Sequence, residues 1–218
     1  PVGPNGEAQE LIWRFRELAQ ESGGTASFYQ VRPQNLPMYL DAGLRVFKLG
    51  EIALVDLPSF SLEGRGRAKM RQAVSRAERE GLTLTLIEPA QGPAMLDELR
   101  LISDEWLAEH RTAEKQFSLG NFNPKFLSGL PMALVQKNGH TLAFANIMLT
   151  DQKDEATVDM MRHGRDAPSG TMDFLFVKLM LHYKAAGFQR FNLGMAPMSG
   201  MDDRPMAPQW QRLGRLLF

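Results

Sequence analysis

The sequence predicts a mixed α/β fold of the α+β kind, with mixed sheets flanked by helices. Two observations carry this reading. Short apolar or alternating runs of strand length are separated by Gly- and Asn-containing turns. Longer stretches between them repeat apolar residues at helical spacing and end on glycine. In the second half a hairpin is followed by strand–helix–strand, which suits layers of helix on sheet.

In chain order, Glu7 to Ser22 fits an amphipathic helix, with Leu11, Phe15 and Leu18 on one stripe and Gly23-Gly24 as its stop. Ala26 to Val31 reads as a strand. Pro33 to Ala42 reads as a short helix that Gly43 ends. Leu44 to Leu49 and Ile52 to Leu57 read as two strands around a tight Gly50-Glu51 turn. Leu62 to Glu80 is a predicted helix stopped by Gly81. Leu82 to Ile87 alternates Leu and Thr, the pattern of a half-buried strand. Pro93 to His110 is a further helix, and Asn121 to Leu130 is loop-like. Met132 to Gln136 and Thr141 to Leu149 flank Asn138-Gly139, a hairpin signal because both residues tolerate positive φ. Ala156 to Arg162 is the next strand. Met172 to Ala186 is a helix stopped by Gly187, and Phe188 to Met195 is the last strand. No short-period repeat or low-complexity segment occurs.

Hydrophobic residues make up 44% of the 218 residues and charged residues 23%, ordinary for a globular protein of one large domain or two small ones. No apolar run approaches the ~20 residues of a membrane span. The opening Pro1-Val2-Gly3-Pro4-Asn5-Gly6 has no signal-peptide character. Zero cysteines exclude disulfides, thiol catalysis and thiolate metal sites. Lys and Arg total 25 against 25 Asp and Glu, so net charge alone points to no nucleic-acid partner. Thirteen methionines and thirteen phenylalanines suit a soft apolar interior or a surface that meets something greasy. The chain opens in a loop and closes on the apolar run Leu213 to Phe218, so we expect a piece of a longer protein, truncated at both ends.

Chemistry concentrates in three places. The helix between Gly64 and Gly81 carries Arg65, Arg67, Lys69, Arg71, Arg76 and Arg79 against Glu78 and Glu80. At 100° per residue Arg65, Lys69, Gln72, Arg76 and Arg79 share one face, while Met70, Ala73, Val74 and Ala77 share another. The face is either solvated or a stripe for the phosphates of RNA or anionic lipid. No aromatic residue interleaves with these charges, so base stacking is not indicated.

The second place is the N-terminus of the helix from Met172. Ser169, Gly170 and Thr171 precede it, Asp173 sits in its first turn, and Arg162 and Arg165 lie upstream. Either this is an ordinary capped helix, or an anion there meets backbone N–H groups, the helix dipole and guanidinium together. The third is Asp159. Its neighbours Val158, Met160 and Met161 are apolar, and a carboxylate in such a strand is costly unless it is paired or used. By strict alternation Asp159 and Arg162 fall on opposite faces, so a shared site requires a bulge or the strand end near Met161. The histidines form no HxxxH or HExxH pair, and no GxSxG elbow is present, so a metal site and a serine nucleophile are unsupported.

The strand–loop–helix–strand ending in Phe191-Asn192-Leu193-Gly194-Met195 resembles the core of the GNAT acyltransferase fold. Its loop, Arg162-His163-Gly164-Arg165-Asp166-Ala167-Pro168-Ser169-Gly170, departs from the Q/R-x-x-G-x-G/A pattern with which that fold holds the CoA pyrophosphate. A further resemblance covers nearly the whole chain. Tyr39-Leu40-Asp41, Phe47-Lys48-Leu49-Gly50-Glu51, Phe60-Ser61-Leu62-Glu63-Gly64, Arg71-Gln72-Ala73, Arg76 to Gly81, Val158-Asp159-Met160-Met161-Arg162 and Phe191 to Pro197 resemble the catalytic domain of the MprF family, the lysyl- and alanyl-phosphatidylglycerol synthases.

That resemblance implies two GNAT-like domains in tandem behind a membrane domain. Residues 1–57 would then end the first unit, and 58–218 would form most of the second. It implies transfer of an aminoacyl group from aminoacyl-tRNA to a glycerol hydroxyl of phosphatidylglycerol at the cytoplasmic face of the bacterial inner membrane. It implies no metal or organic cofactor, aminoacyl-tRNA being the co-substrate. Asp159 and Arg162 carry over as catalytic residues. Arg65, Lys69, Arg71, Arg76, Arg165, Ser169, Gly170, Asp173 and Asn192 are the candidate substrate-binding residues. The family continues past the position of Phe218 with a basic Tyr-Lys-x-Lys-Phe-like segment that contributes functional residues. The alternatives are an acetyl-CoA-dependent acetyltransferase and a non-catalytic tRNA- or membrane-binding module of the same fold.

Overall fold

The structure, a computed structural model, describes residues 6–114 and 120–201; the run Leu213 to Phe218 lies outside them. Among the described residues the chain forms two compact units, 6–50 with 198–201, and 51–197. The division falls at Gly50/Glu51, one strand earlier than the 57/58 boundary.

In the first unit α1 (Ala8–Glu21) and α2 (Leu36–Asp41) form the regular structure. Their small core is Ile12, Tyr39 and Ala42, with Phe28, Val31, Met38 and Leu44 against it. Here two expectations fail. The stripe Leu11, Phe15 and Leu18 is exposed, and Ile12 is the α1 residue that goes fully inside. Ala26 to Val31 and Leu44 to Leu49 form no strand. Phe28 packs its ring edge against Phe15 and Tyr39 instead of standing in a ladder. Apolar content is enough to bury a segment, but a strand also needs a hydrogen-bonding neighbour.

The second unit is built on one six-stranded sheet. Its strands are β1 (Gly50–Asp56), β2 (Leu82–Ile87), β3 (Met132–Lys137), β4 (His140–Leu149), β5 (Glu155–His163) and β6 (Arg190–Pro197). Their spatial order is β1-β6-β5-β4-β3-β2. From β2 through β5 each strand is antiparallel to its neighbour, while β5 and β6 run parallel around a crossover helix. The expected Gly50-Glu51 turn is the start of β1, because those residues enter the sheet beside β6. The β3–β4 turn is as read: Asn138 and Gly139 have φ of 52° and 82°, the twist a two-residue hairpin needs.

Helices cover both faces. α3 (Ala68–Arg79) and α6 (Thr171–Ala185) pack on one, α4 (Leu96–Glu109) and the short α5 (Pro124–Leu127) on the other. α3 and α4 begin later than the sequence suggests. Each is preceded by a tighter 3-10 turn, Arg65–Arg67 and Pro89–Met95, where Gly66 and Pro93 disfavour α-helical hydrogen bonding. On the α6 side Ala143, Ala145, Ile147, Ala156 and Val158 meet Phe174, Leu175, Leu179 and Phe191. On the α4 side Met132, Leu134, Phe144 and Met160 meet Leu99, Ile102, Phe122 and Leu127. Each such fully buried large side chain contributes about 1.5–3 kcal/mol. Two buried faces explain why β3 and β4 read as apolar runs rather than alternating ones.

Candidate functional site

The strand β5 carries an irregularity that decides the geometry. Its register with β4 pairs Met161 with Ala145 and Val158 with Ile147. Two residues, Asp159 and Met160, therefore oppose the single residue Asn146, which is a β-bulge. Val158 belongs to the α6-side core. Met160 belongs to the α4-side core, and Met161 packs on the α6 side again. Regular alternation would send Arg162 toward α6. With the extra residue it joins Asp159 on the α4 face, so the opposite-face expectation gives way to a shared face.

The contacts bear this out. Arg162 is 5% exposed and donates to Ser103 Oγ of α4 at 2.7 Å and to Glu114 Oε2 at 2.8 Å. Its guanidinium lies over the Trp106 ring, 5.1 Å from the centroid. Glu114 Oε1 accepts from Phe122 N at 3.3 Å, and Asp159 Oδ1 accepts from Gly120 N at 3.0 Å. A carboxylate and a guanidinium three residues apart thus hold Gly120 and Glu114 from one face of β5. They do so through separate partners, since Arg162 is neutralised by Glu114 and not by Asp159. Gly120 permits the approach: a methyl group there would overlap Asp159 Oδ2.

Beside this face the sheet opens. β5 and β6 pair only at Glu155/Arg190, Ala156/Phe191 and Thr157/Asn192. Gly194, at φ 94°, then turns β6, and the Asn192 side chain secures the turn by accepting from Gly194 N at 2.8 Å. Asn192 Nδ2 also donates to Glu155 Oε1 at 2.9 Å. Asn192 thus shapes the opening with both ends of its amide.

At the end of β5 a cavity of about 200 Å³ is lined by His163 and the residues from Ala167 to Asp173. Ser169, Gly170 and Asp173 are therefore brought together. Gly170, at φ 90°, precedes α6 and supplies no side-chain cap, and the Thr171 hydroxyl donates to Pro168 O instead. The first turn is open to a ligand, though Asp173 already answers the helix dipole. Arg162 does not join this cavity, because the bulge sends it to α4. Arg165 is exposed, and its backbone N–H donates to Glu105 Oε2 at 3.4 Å.

On α3 the basic face is smaller than the sequence suggests. Arg71 turns back to the carbonyls of Leu62 and Gly64, where it closes the loop before the helix. Arg76 pairs with Glu80 at 2.8 Å, which raises the guanidinium pKa and lowers that of the carboxyl, chiefly through that hydrogen bond. Arg65, Arg67, Lys69 and Arg79 remain exposed. Ser103, Trp106, Glu114 and Gly120 carry no local sequence signal, because tertiary packing alone brings them to β5. Asn146 has the same signal as Asp159, a polar residue inside an apolar strand.

The whole chain, residues 1–218, matches the family phosphatidylglycerol lysyltransferase, C-terminal. The chain belongs to this family. Phosphatidylglycerol lysyltransferase of Bacillus subtilis (strain 168) is 40% identical over 91% of this chain and 23% of its own length. That of Staphylococcus aureus (strain MRSA252) is 32% identical over 100% of this chain and 26% of its own. The chain therefore spans about a quarter of the curated relatives it matches. Among solved structures, L-PGS from Bacillus licheniformis superposes with a TM-score of 0.84 at 40% identity, over 91% of this chain and 63% of the other. A C-terminal domain from Agrobacterium fabrum superposes with 0.85 at 52% identity, with the same coverage. FemX, at 10% identity and a TM-score of 0.61 over 95% of this chain and 73% of its own, shares the fold. The family's GNAT-like acyltransferase architecture is thus the architecture of this chain.

Proposed function

We propose that this domain of the phosphatidylglycerol lysyltransferase family transfers an aminoacyl group, lysyl or alanyl, from aminoacyl-tRNA to a glycerol hydroxyl of phosphatidylglycerol. The observation that carries the proposal is the bulged β5, which sets Asp159 and Arg162 on one face of an acyltransferase sheet. The reaction exchanges one ester for another. The lipid hydroxyl oxygen bonds to the aminoacyl carbonyl carbon, the bond to the tRNA ribose oxygen breaks, and the hydroxyl proton ends on that ribose oxygen. The donor ester is already activated, so the site must position the two substrates, take up the proton and steady an oxyanion. Asp159 relays the proton or holds the donor's α-ammonium. Arg162, fixed by Ser103 and Glu114, supplies a stationary positive charge on the same face.

The cavity from His163 to Asp173 receives the polar end of a substrate. Arg65, Lys69 and the exposed cations near them face a phosphate backbone or the membrane surface, with Arg71 and Arg76 beside them held by the loop carbonyls and by Glu80. No metal or organic cofactor enters the scheme. We read the first unit as the end of one GNAT-like domain and the second, which takes in β1, as most of another, working beside a membrane domain of the full-length protein at the cytoplasmic face. Among the described residues no helix is long and apolar enough to cross a membrane.

The test is an assay of the full-length protein with charged tRNAs and phosphatidylglycerol vesicles, reading the lipid by mass. An aminoacylated lipid is expected from wild type, and a fall of at least about 10²-fold from Asp159→Asn, the scale of a lost acid/base group. Acetyl-CoA binding by calorimetry without lipid product would favour an acetyltransferase instead. tRNA or vesicle binding without turnover would leave a binding module.

A further inference from the structure

We infer that Asn146 is a positioning residue, the side chain that sets the register of β5 and thereby puts Arg162 on the face of Asp159. Three observations carry this. Asn146 is the one β4 residue facing the two residues of the bulge. Its Oδ1 accepts from Met160 N at 2.7 Å, which satisfies the backbone donor that the extra residue removes from the ladder. The amide orientation follows from chemistry, because a backbone N–H requires the oxygen and not the nitrogen to face it. The third observation is the other end of the same amide. Asn146 is fully buried, and its Nδ2 is the buried side-chain nitrogen or oxygen without a hydrogen-bond partner among the described residues.

A buried amide with an unpaired donor is a net cost to folding. An apolar side chain would fill this place between Phe144 and Met160 without that cost. The site therefore uses Asn146 for what its oxygen does. Without that acceptor the Met160 N–H is relieved only by restoring regular pairing. Regular pairing returns Arg162 to the α6 side, away from Ser103, Trp106 and Glu114. The Asn146 side chain hydrogen-bonds to neither Asp159 nor Arg162 and acts through the strand that carries both.

The inference rests on the proposed transfer only for its kinetic readout, so the test has a second arm that does not. In the full-length protein, hydrogen exchange read by mass spectrometry across Val158 to Met161 should be at least tenfold faster in Asn146→Ala than in wild type. Asn146→Asp, which keeps an acceptor oxygen, should retain most of the protection. Unchanged exchange in Asn146→Ala overturns the inference whatever the activity. If Asn146→Ala does not fold, loss of protection in Asn146→Asp does so.

The kinetic arm is a double-mutant cycle with Asp159→Asn. The two changes act on one constellation, so the double variant should be no slower than the slower single variant, with the loss in kcat rather than KM for charged tRNA. Losses that multiply would mark Asn146 as a general structural residue and overturn the inference. A wild-type protein without turnover would refute the proposed transfer and leave the exchange arm to decide Asn146.

Discussion

Gly120 is the residue on which the aim of Asp159 depends most directly. Its amide donates to Asp159 Oδ1 at 3.0 Å, and the space a Cβ would need is taken by the other carboxylate oxygen. Gly120→Ala must therefore move the carboxylate or the loop. Displacements near 1 Å at a reacting centre cost about 10²-fold in rate. We expect kcat for lipid aminoacylation to fall by that order. The melting temperature should move little, because alanine also lowers the entropy of the unfolded chain. Turnover and a thermal melt on the same preparation check this; an unchanged rate would mean that Asp159 needs no fixed orientation. Asp159 itself is visible in the sequence because a carboxylate among Val158, Met160 and Met161 has to be explained. Its partner Gly120 is not, since a glycine 39 residues upstream looks like any loop glycine until the fold closes.

At the scale of elements, α6 and β6 meet through an aromatic cluster that makes a pH prediction. Tyr183 packs edge-on against Phe188, with centroids 5.2 Å apart, and tilted against Phe191. Burial pushes its phenol up from the ordinary 10.0 to about 12, with a smaller contribution from Glu88. A raised phenol pKa means that the folded state favours the neutral form. The associated stability is complete below pH 10 and is lost as pH rises from there through 12, a difference of about 3 kcal/mol at most. Denaturant melts of wild type and Tyr183→Phe from pH 9 to 12 should run together at first. The wild type should then lose stability faster; parallel curves throughout would show that the phenol ionises without unfolding.

The same helix shows which elements are legible and why. α6 and the Asn138-Gly139 hairpin are set by local spacing and local φ preferences. The absent strands at 26–31 and 44–49 depend on a partner that local sequence does not specify. The bulge in β5 is hidden for the same reason, because it exists only as a register with β4. Alternation alone therefore puts Arg162 on the wrong face.

For the whole molecule, the zero net charge conceals a local imbalance on α3, and ionic strength is the lever that exposes it. Arg65, Arg67, Lys69 and Arg79 stand in solvent, whereas Arg71 holds loop carbonyls and Arg76 is paired with Glu80. If this face meets a polyphosphate, binding falls with the logarithm of salt. Each neutralised phosphate contributes about 0.7–0.9 to the slope. Replacing Arg65, Lys69 and Arg79 by glutamine in the full-length protein should lower the slope for tRNA by roughly two. Arg76→Gln should change it by less than half of one contact, because Glu80 already screens that charge. Filter binding of charged tRNA between about 50 and 200 mM salt, the range over which such slopes are resolved, measures both. A slope that ignores all the substitutions makes α3 an ordinary solvated face and removes it from the proposed tRNA contact. A slope lost equally with Arg76→Gln would mean that the Arg76–Glu80 pair opens on binding. Vesicles containing phosphatidylglycerol, titrated alongside, show which anion this face prefers: if it serves the tRNA, the triple variant loses tRNA affinity and keeps its lipid binding.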